Sequence, residues 1–268
     1  MKLIIFGAGY VGSALLKDLQ TRDYQIYITT TQEKRVDELK SLGKEVFIIN
    51  DKTDFRDLIL PCDGMIVLVA PGQLKSYEET YLNTAQKIAS TLKDRKKPFF
   101  LLYTSSTSVC EGVQEDWITE ETPLNPISEN GKILLKTEQI YLESGVEACI
   151  LRLGGIYGPN RTLLDRAKRF SGKIMNSSGD EPTNHIHLDD ILRAILFCLD
   201  HTLKGVYHLV NDDHRTRKVL YTSLCQIAHL QPPIWSSMTS HKGYKVSNSK
   251  IKKAGFSFAH PMLQIGKD

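Results

Sequence analysis

The chain opens on Leu3-Ile4-Ile5-Phe6-Gly7-Ala8-Gly9-Tyr10-Val11-Gly12. A short apolar run meets Gly7-x-Gly9-x-x-Gly12, and each glycine has its own task. Gly7 permits a tight turn out of a strand. Gly9 lets the backbone approach a pyrophosphate with no Cβ in the way, and Gly12 lets the following helix pack closely on the sheet. That helix aims its positive N-terminal end at the phosphates. The apolar run before the motif reads as the strand, and Ala14, Leu15, Leu16 and Leu19 after it as the amphipathic helix. The alternative is an incidental glycine-rich turn.

Working outward, strand-like runs alternate with helix-like segments. Apolar runs at 3–6, 24–30, 45–50, 64–69, 99–103 and 147–153 read as strands. Segments from 11, at 33–42, near 54–60, at 77–93 and at 127–144 read as helices. This alternation predicts an α/β fold, a Rossmann-type doubly wound parallel sheet covered on both faces. The turn-rich Gly154-Gly155-Ile156-Tyr157-Gly158-Pro159-Asn160 then punctuates the chain. Beyond it, helices are expected at 162–170 and 189–201, a strand at 206–210, and an irregular tail from Gln231. The expected organisation is a dinucleotide-binding domain over 1–153 and mainly a small C-terminal substrate lobe over 154–268. Segments near 185–211 are expected to return to the first domain.

The totals exclude several classes. With 268 residues, 41% hydrophobic and 24% charged, the chain has ample material for a core. A net charge of +3 does not argue for a nucleic-acid or membrane-surface partner. The basic cluster Lys93-Asp94-Arg95-Lys96-Lys97 reads as a solvated helix end. The five cysteines are odd in number and contain no Cys-x-x-Cys, which suits free thiols in a reducing compartment. No apolar stretch approaches a membrane span. The apolar run after Lys2 is too short for a signal peptide and ends in the glycine motif. A cytoplasmic location is expected.

Further segments carry a family resemblance. They are Asp63-Gly64-Met65-Ile66-Val67-Leu68-Val69-Ala70, Asn83 and Tyr103-Thr104-Ser105-Ser106-Thr107-Ser108-Val109. Later come Leu151-Arg152-Leu153-Gly154-Gly155-Ile156-Tyr157-Gly158-Pro159, Asn184-His185-Ile186-His187-Leu188-Asp189-Asp190-Ile191 and Gly205-Val206-Tyr207-His208-Leu209-Val210. In this order, with the glycine motif, they resemble the extended short-chain dehydrogenase/reductases of the NAD-dependent epimerase/dehydratase group. The resemblance implies an NAD(P) site at Gly7, Gly9, Tyr10, Val11, Gly12, Thr30, Lys34, Arg35, Val69 and Ala70. It implies a small polar or sugar-like substrate and leaves a homodimer open. It also puts Ser106 where the family has its catalytic hydroxyl.

One departure decides how far the chemistry carries over. The family uses a tyrosine and a lysine four residues later, on one helical face. Here those positions hold Asn130 and Leu134, and no Tyr-x-x-x-Lys occurs anywhere. Lys132 and Lys136 each lie two residues off, roughly 200° around a helix. The chain therefore resembles an atypical subgroup. Two functions stand: an oxidoreductase or isomerase, or an inactive NAD(P)-binding sensor or interaction protein.

Individual residues have competing readings. Ser106 either bonds a substrate hydroxyl or carbonyl, or caps a strand end. Cys110 reads as a buried, inert thiol, since no local group lowers its pKa. His185 and His187 with Asp189 and Asp190 look at first like metal ligands, but the resemblance makes them a strand entering a helix, so no metal is expected. Arg152 is either one half of an ion pair or a cleft contact. Arg161 and Arg166 read as solvated, with an anionic substrate as the alternative. Lys34 and Arg35 lean toward NADP, and Glu33 leans toward NAD.

Overall fold

The computed structural model describes residues 1–43, 45–72, 76–236 and 243–265. Its elements in chain order begin β1 (Lys2–Phe6), α1 (Tyr10–Leu19), β2 (Gln25–Thr30), α2 (Val36–Lys40), β3 (Glu45–Ile48), α3 (Arg56–Ile59) and β4 (Gly64–Val67). There follow α4 (Thr84–Leu92), β5 (Phe100–Ser106), β6 (Trp117–Ile118), α5 (Glu129–Leu142), β7 (Glu147–Leu153), β8 (Gly155–Tyr157) and α6 (Leu163–Phe170). The series ends with β9 (Ile174–Met175), β10 (His185–His187), α7 (Leu188–Asp200), β11 (Gly205–Leu209), α8 (Arg217–Ile227), β12 (Ile234–Trp235), β13 (Lys245–Val246) and α9 (Ser249–Lys253).

Seven strands form one sheet in the order β11-β7-β5-β4-β1-β2-β3, a doubly wound sheet of the kind the alternation predicts. The pairs β1–β2, β1–β4, β2–β3 and β4–β5 are parallel. Chain order reverses between β1 and β4, so the crevice of the doubly wound fold lies at their carboxyl ends. The strands are apolar on both faces because helices cover both: Leu3, Ile4, Ile5 and Phe6 are all fully buried.

The chain divides into two compact units. One contains Met1–Val109, Pro126–Arg152 and Leu192–Val206. Its core joins Ile4, Phe6, Met65, Val67, Leu101 and Tyr103 of the sheet to Ile88 and Leu92 of α4 and Tyr141 of α5. The other contains Cys110–Asn125, Leu153–Ile191 and Tyr207–Asp268. There α6 packs on α8, burying Leu163, Ala167, Leu220, Leu224 and Cys225. No described helix is long and apolar enough to cross a membrane.

Several elements differ from the sequence expectation. The segment expected as a helix over 77–93 begins with a π-helical stretch, Glu78–Asn83, before α4. Strand β5 runs on through Thr104, Ser105 and Ser106, where Thr104 Oγ1 donates to Val67 O at 3.4 Å. Helix α8 has no counterpart in the expectation. It starts at Thr216, whose hydroxyl accepts the Val219 N–H, and buries Leu220, Tyr221, Leu224 and Cys225 along one stripe. The tail is less irregular than its composition indicates, because β13 pairs with β6 and α9 follows.

One buried network ties α5 to the sheet. Arg152 Nη2 of β7 meets Glu138 Oε2 of α5 at 2.8 Å, and Arg152 Nε contacts both carboxylate oxygens at 3.1 Å. Ser105 Oγ of β5 donates to Glu138 Oε1 at 2.5 Å. The two charged side chains are 6% and 1% exposed, so neither ion has water to fall back on. Glu138→Ala removes the carboxylate that faces the buried guanidinium, at a cost of about 3–5 kcal/mol. Urea unfolding of the parent and variant measures it, and a loss below about 1 kcal/mol contradicts a structural role for the pair.

Candidate functional site

The glycine loop sits at the sheet crevice between β1 and α1. Gly7 adopts φ +102°, a left-handed conformation that disfavours side chains. A Cβ at Gly7 would lie 3.0 Å from the Leu68 carbonyl oxygen just beyond β4. A Cβ at Gly12 would lie 2.3 Å from the Gly7 carbonyl oxygen, so α1 can start this close to the loop only with glycine there. Gly9 is different: nothing of the protein lies within 4 Å of the position its Cβ would take. It opens α1 with no side-chain cap, and no acidic residue occupies the helix's first turn. The helix start is therefore a cradle suited to an anion that approaches close to backbone.

Neighbouring residues brace this loop. The Gly7 N–H donates to Thr29 Oγ1 at 3.1 Å, from the buried end of β2. Ser13 Oγ donates to Ala8 O at 3.0 Å. Arg35 reaches in from beyond β2: one Nη donates to Ala8 O, the other to Ser13 Oγ at 2.9 Å. It also holds Glu38 through Nε at 3.3 Å and Nη2 at 3.1 Å, which keeps the Glu38 carboxyl below its ordinary pKa. Thr30 is buried and its hydroxyl accepts the Gln32 N–H at 3.1 Å. Lys34 is exposed. Tyr10, Val11 and Val69 are half-buried, and Ala70 is exposed.

Ser106 ends β5 with its hydroxyl accepting from Ser108 N at 3.2 Å and Ser108 Oγ at 3.0 Å. On α5, Asn130 is exposed and Leu134 is 2% exposed. Leu134 shares its buried face with Gly131, Thr137, Glu138 and Tyr141. A lysine restored at 134 would bury an ammonium in the packed face of α5. Arg152, open between two readings in sequence, is the buried partner of Glu138. That pairing joins residues on α5 and β7, and its local sequence signal is only that Glu138 follows Leu134 by one helical turn. All five cysteines are buried free thiols, Cys110 among them.

An open depression of about 970 Å³ is lined by Arg95, Lys97, Phe99, Glu147 and Lys204. It lies where β5, β7 and β11 begin, at the strand ends opposite to those where doubly wound sheets bind ligands.

The second unit holds its own polar cluster around β8 and β10. His185 is 5% exposed and its Nδ1 has no hydrogen-bond partner. Burial lowers its pKa to about 4, helped by the nearby Arg166 cation and opposed by Asp213. Arg166 donates to Ile156 O at 2.6 Å, and burial pulls its guanidinium below the ordinary value. At the start of α7, Asp190 is fully buried and accepts the backbone N–H groups of Ala259 at 2.6 Å and His260 at 3.0 Å. Asp189 accepts from His260 Nε2 at 3.2 Å. The strand-into-helix reading of this segment thus fits β10 and α7.

The His185 environment has a signed consequence. The unfolded chain takes up a proton near 6.5 and the folded chain only near 4, so acid favours unfolding across that window. The contribution is complete above pH 6.5 and is lost as pH falls toward 4, by about 3 kcal/mol in all. Thermal melts across this range are expected to show a shallower decline for His185→Gln than for the parent. Parallel curves contradict the assignment.

A family model described as "RmlD substrate binding domain" matches residues 1–252. Protein YeeZ of Escherichia coli K12 is 27% identical over 270 residues, covering 97% of this chain and 96% of that protein. Methionine adenosyltransferase 2 subunit beta of Bos taurus is 29% identical over 153 residues, covering 50% of this chain and 45% of that protein. A solved UDP-glucuronic acid 4-epimerase from Bacillus cereus, in complex with UDP-glucuronic acid and NAD, superimposes with a TM-score of 0.79. It covers 99% of this chain and 95% of its own, at 20% identity, a likeness of fold. The match along nearly the whole sequence bears out the resemblance to epimerase/dehydratase-type short-chain dehydrogenase/reductases: the chain belongs to the RmlD substrate binding domain family.

Proposed function

We propose that this chain is an NAD(P)-binding protein of the epimerase/dehydratase type that takes a small polar or sugar-like substrate. The observation that carries the reading is the open space over Gly9 at the uncapped start of α1. A side chain would intrude on that space, which glycine leaves clear for a pyrophosphate. Gly7, Gly9, Tyr10, Val11 and Gly12 would hold the pyrophosphate, Thr30, Lys34 and Arg35 the adenosine ribose, and Val69 and Ala70 the far side of the crevice. When bound, the dinucleotide supplies a hydride donor or acceptor. Ser106 would meet a substrate hydroxyl or carbonyl by giving up its contact with Ser108. The Bacillus cereus epimerase, crystallised with a nucleotide sugar and NAD, supports this substrate class. Five buried free thiols fit a cytoplasmic setting.

NADP is slightly favoured over NAD. Arg35 already lies against the glycine loop, and a 2′-phosphate offers it and Lys34 charge-assisted bonds in place of Glu38.

A second reading is a catalytically silent NAD(P) sensor or interaction protein. It is favoured by the exposed Asn130 and the buried Leu134, which together leave no titrating tyrosine and no lysine beside it. The partial match to a protein named as a subunit of methionine adenosyltransferase points the same way.

Titration calorimetry tests the binding site. A Cβ at Gly9 meets no protein atom, so Gly9→Val is expected to fold with a melting temperature close to the parent's and to lose NADP binding altogether. No heat from the parent with either dinucleotide, or unchanged binding by Gly9→Val, contradicts the proposal. Arg35→Ala is expected to weaken NADP more than NAD by about tenfold, a difference of about 1.4 kcal/mol. Equal losses for both would assign Arg35 to bracing the loop alone.

A turnover assay separates the two readings. A positioned acid–base group contributes about 10²–10⁴-fold, so absorbance assays with nucleotide sugars are expected to run near background. Robust turnover by the parent would sink the sensor reading, and turnover that survives Ser106→Ala would place the chemistry on another residue.

A further inference from the structure

We propose that His187, Asp189 and His260 form a binding site for a first-row transition-metal dication of the zinc type. All three belong to the second unit, and the reading is independent of the dinucleotide site. One ring nitrogen from each histidine and one Asp189 oxygen lie within 4.8 Å of one another. His260 Nε2 and Asp189 Oδ2 are 3.2 Å apart. Two ligands of a tetrahedral ion, each about 2 Å from it, stand about 3.3 Å apart, so this pair is already at ligand spacing. The His187 ring lies over the His260 ring, with centroids 3.8 Å apart. Its Nδ1 faces Asp189, accepting that residue's N–H at a long 3.2 Å. Coordination through Nδ1 exchanges this long contact for a metal bond and leaves the ring proton on Nε2.

The site is built from far-separated parts of the chain. His187 ends β10 and is buried, and Asp189 is in the first turn of α7 with a 48% exposed side chain. His260 comes from the C-terminal segment, which is pinned independently of any metal. Asp190 receives the Ala259 and His260 N–H groups, Pro261 O accepts the Asp212 N–H at 2.8 Å, and Leu263 N–H donates to Asp213 at 3.3 Å. The His260 backbone is thus held beside Asp189 before any ion arrives. Gln264 Nε2 lies 2.8 Å from His260 Nδ1. Turning that amide over presents its oxygen to an Nδ1–H, the outer partner that a metal-bound imidazole needs. The Asp189 and Asp190 carboxylates offset the positive end of α7.

The donor set selects the ion. Two imidazoles and one carboxylate suit zinc, cobalt or nickel, whereas calcium and magnesium call for oxygen ligands. The exposed side of Asp189 leaves room for water in the remaining positions.

The test uses the full chain, stripped with chelator, titrated with cobalt(II) chloride followed by absorbance and with zinc chloride followed by calorimetry. The parent is expected to bind one ion, with visible cobalt absorption that zinc displaces, and to melt at a higher temperature with zinc. Asp189→Asn, which keeps size and an acceptor oxygen, and His260→Ala are expected to weaken binding about tenfold or more. His201→Ala, a histidine outside the cluster, is expected to match the parent. No cobalt absorption or zinc heat in the parent overturns the proposal, as does parent-like affinity in both cluster variants, which would put the ion elsewhere.

Discussion

The approach of α1 to the loop that precedes it sets the geometry of the sheet's carboxyl end. The Gly7 carbonyl oxygen occupies the space where a side chain at residue 12 would begin, 2.3 Å from an ideal Cβ. With glycine there, the helix starts directly over the end of β1. Gly7 in turn must take φ +102° to pass under Leu68 at the end of β4. These two contacts fix the loop against α1 on one side and against the end of β4 on the other. Thr29, Ser13 and Arg35 then hold the loop's N–H and carbonyl groups in place. Gly9 is left facing open space, and that is the feature a dinucleotide needs.

A second constraint acts on α5. The Glu138–Arg152 pair, with Ser105, anchors the helix to β5 and β7 through ions that water does not reach. Such a pair is weak evidence for net stability but strongly penalises loss of one partner. It fixes which face of α5 points inward, and Leu134 lies on that face. In this chain the position where related enzymes carry a lysine serves packing, while the tyrosine position is an exposed asparagine. The fold and its glycine loop are thus separable from the proton-transfer pair.

What was legible in the sequence follows from how local each signal is. The three glycines act within one turn, so their spacing read directly as strand, turn and helix. The doubly wound parallel sheet followed from the alternation, whereas its strand order is visible only in the folded chain. Arg152 could not be resolved, because its partner is brought to it by a strand–helix connection rather than by spacing. Ser105 and Ser106 are equivalent in composition, yet the strand turns one toward Glu138 in the core and leaves the other beside Ser108. Helix α8 was hidden by its many polar residues, since its apolar stripe is only part of its surface. The HxHxDD run gave no sign of its third histidine, because His260 comes from the far end of the chain and meets Asp189 only in the folded unit.

The central claim is that the glycine loop is a dinucleotide cradle. The most direct measurement is a crystal structure of the protein soaked with NADP and, separately, with NAD. Electron density for the pyrophosphate is expected over Gly9 at the start of α1, with the 2′-phosphate of NADP against Lys34 and Arg35. Density for the dinucleotide away from residues 7–12, or none at saturating concentration in crystals whose loop is open to solvent, would contradict it.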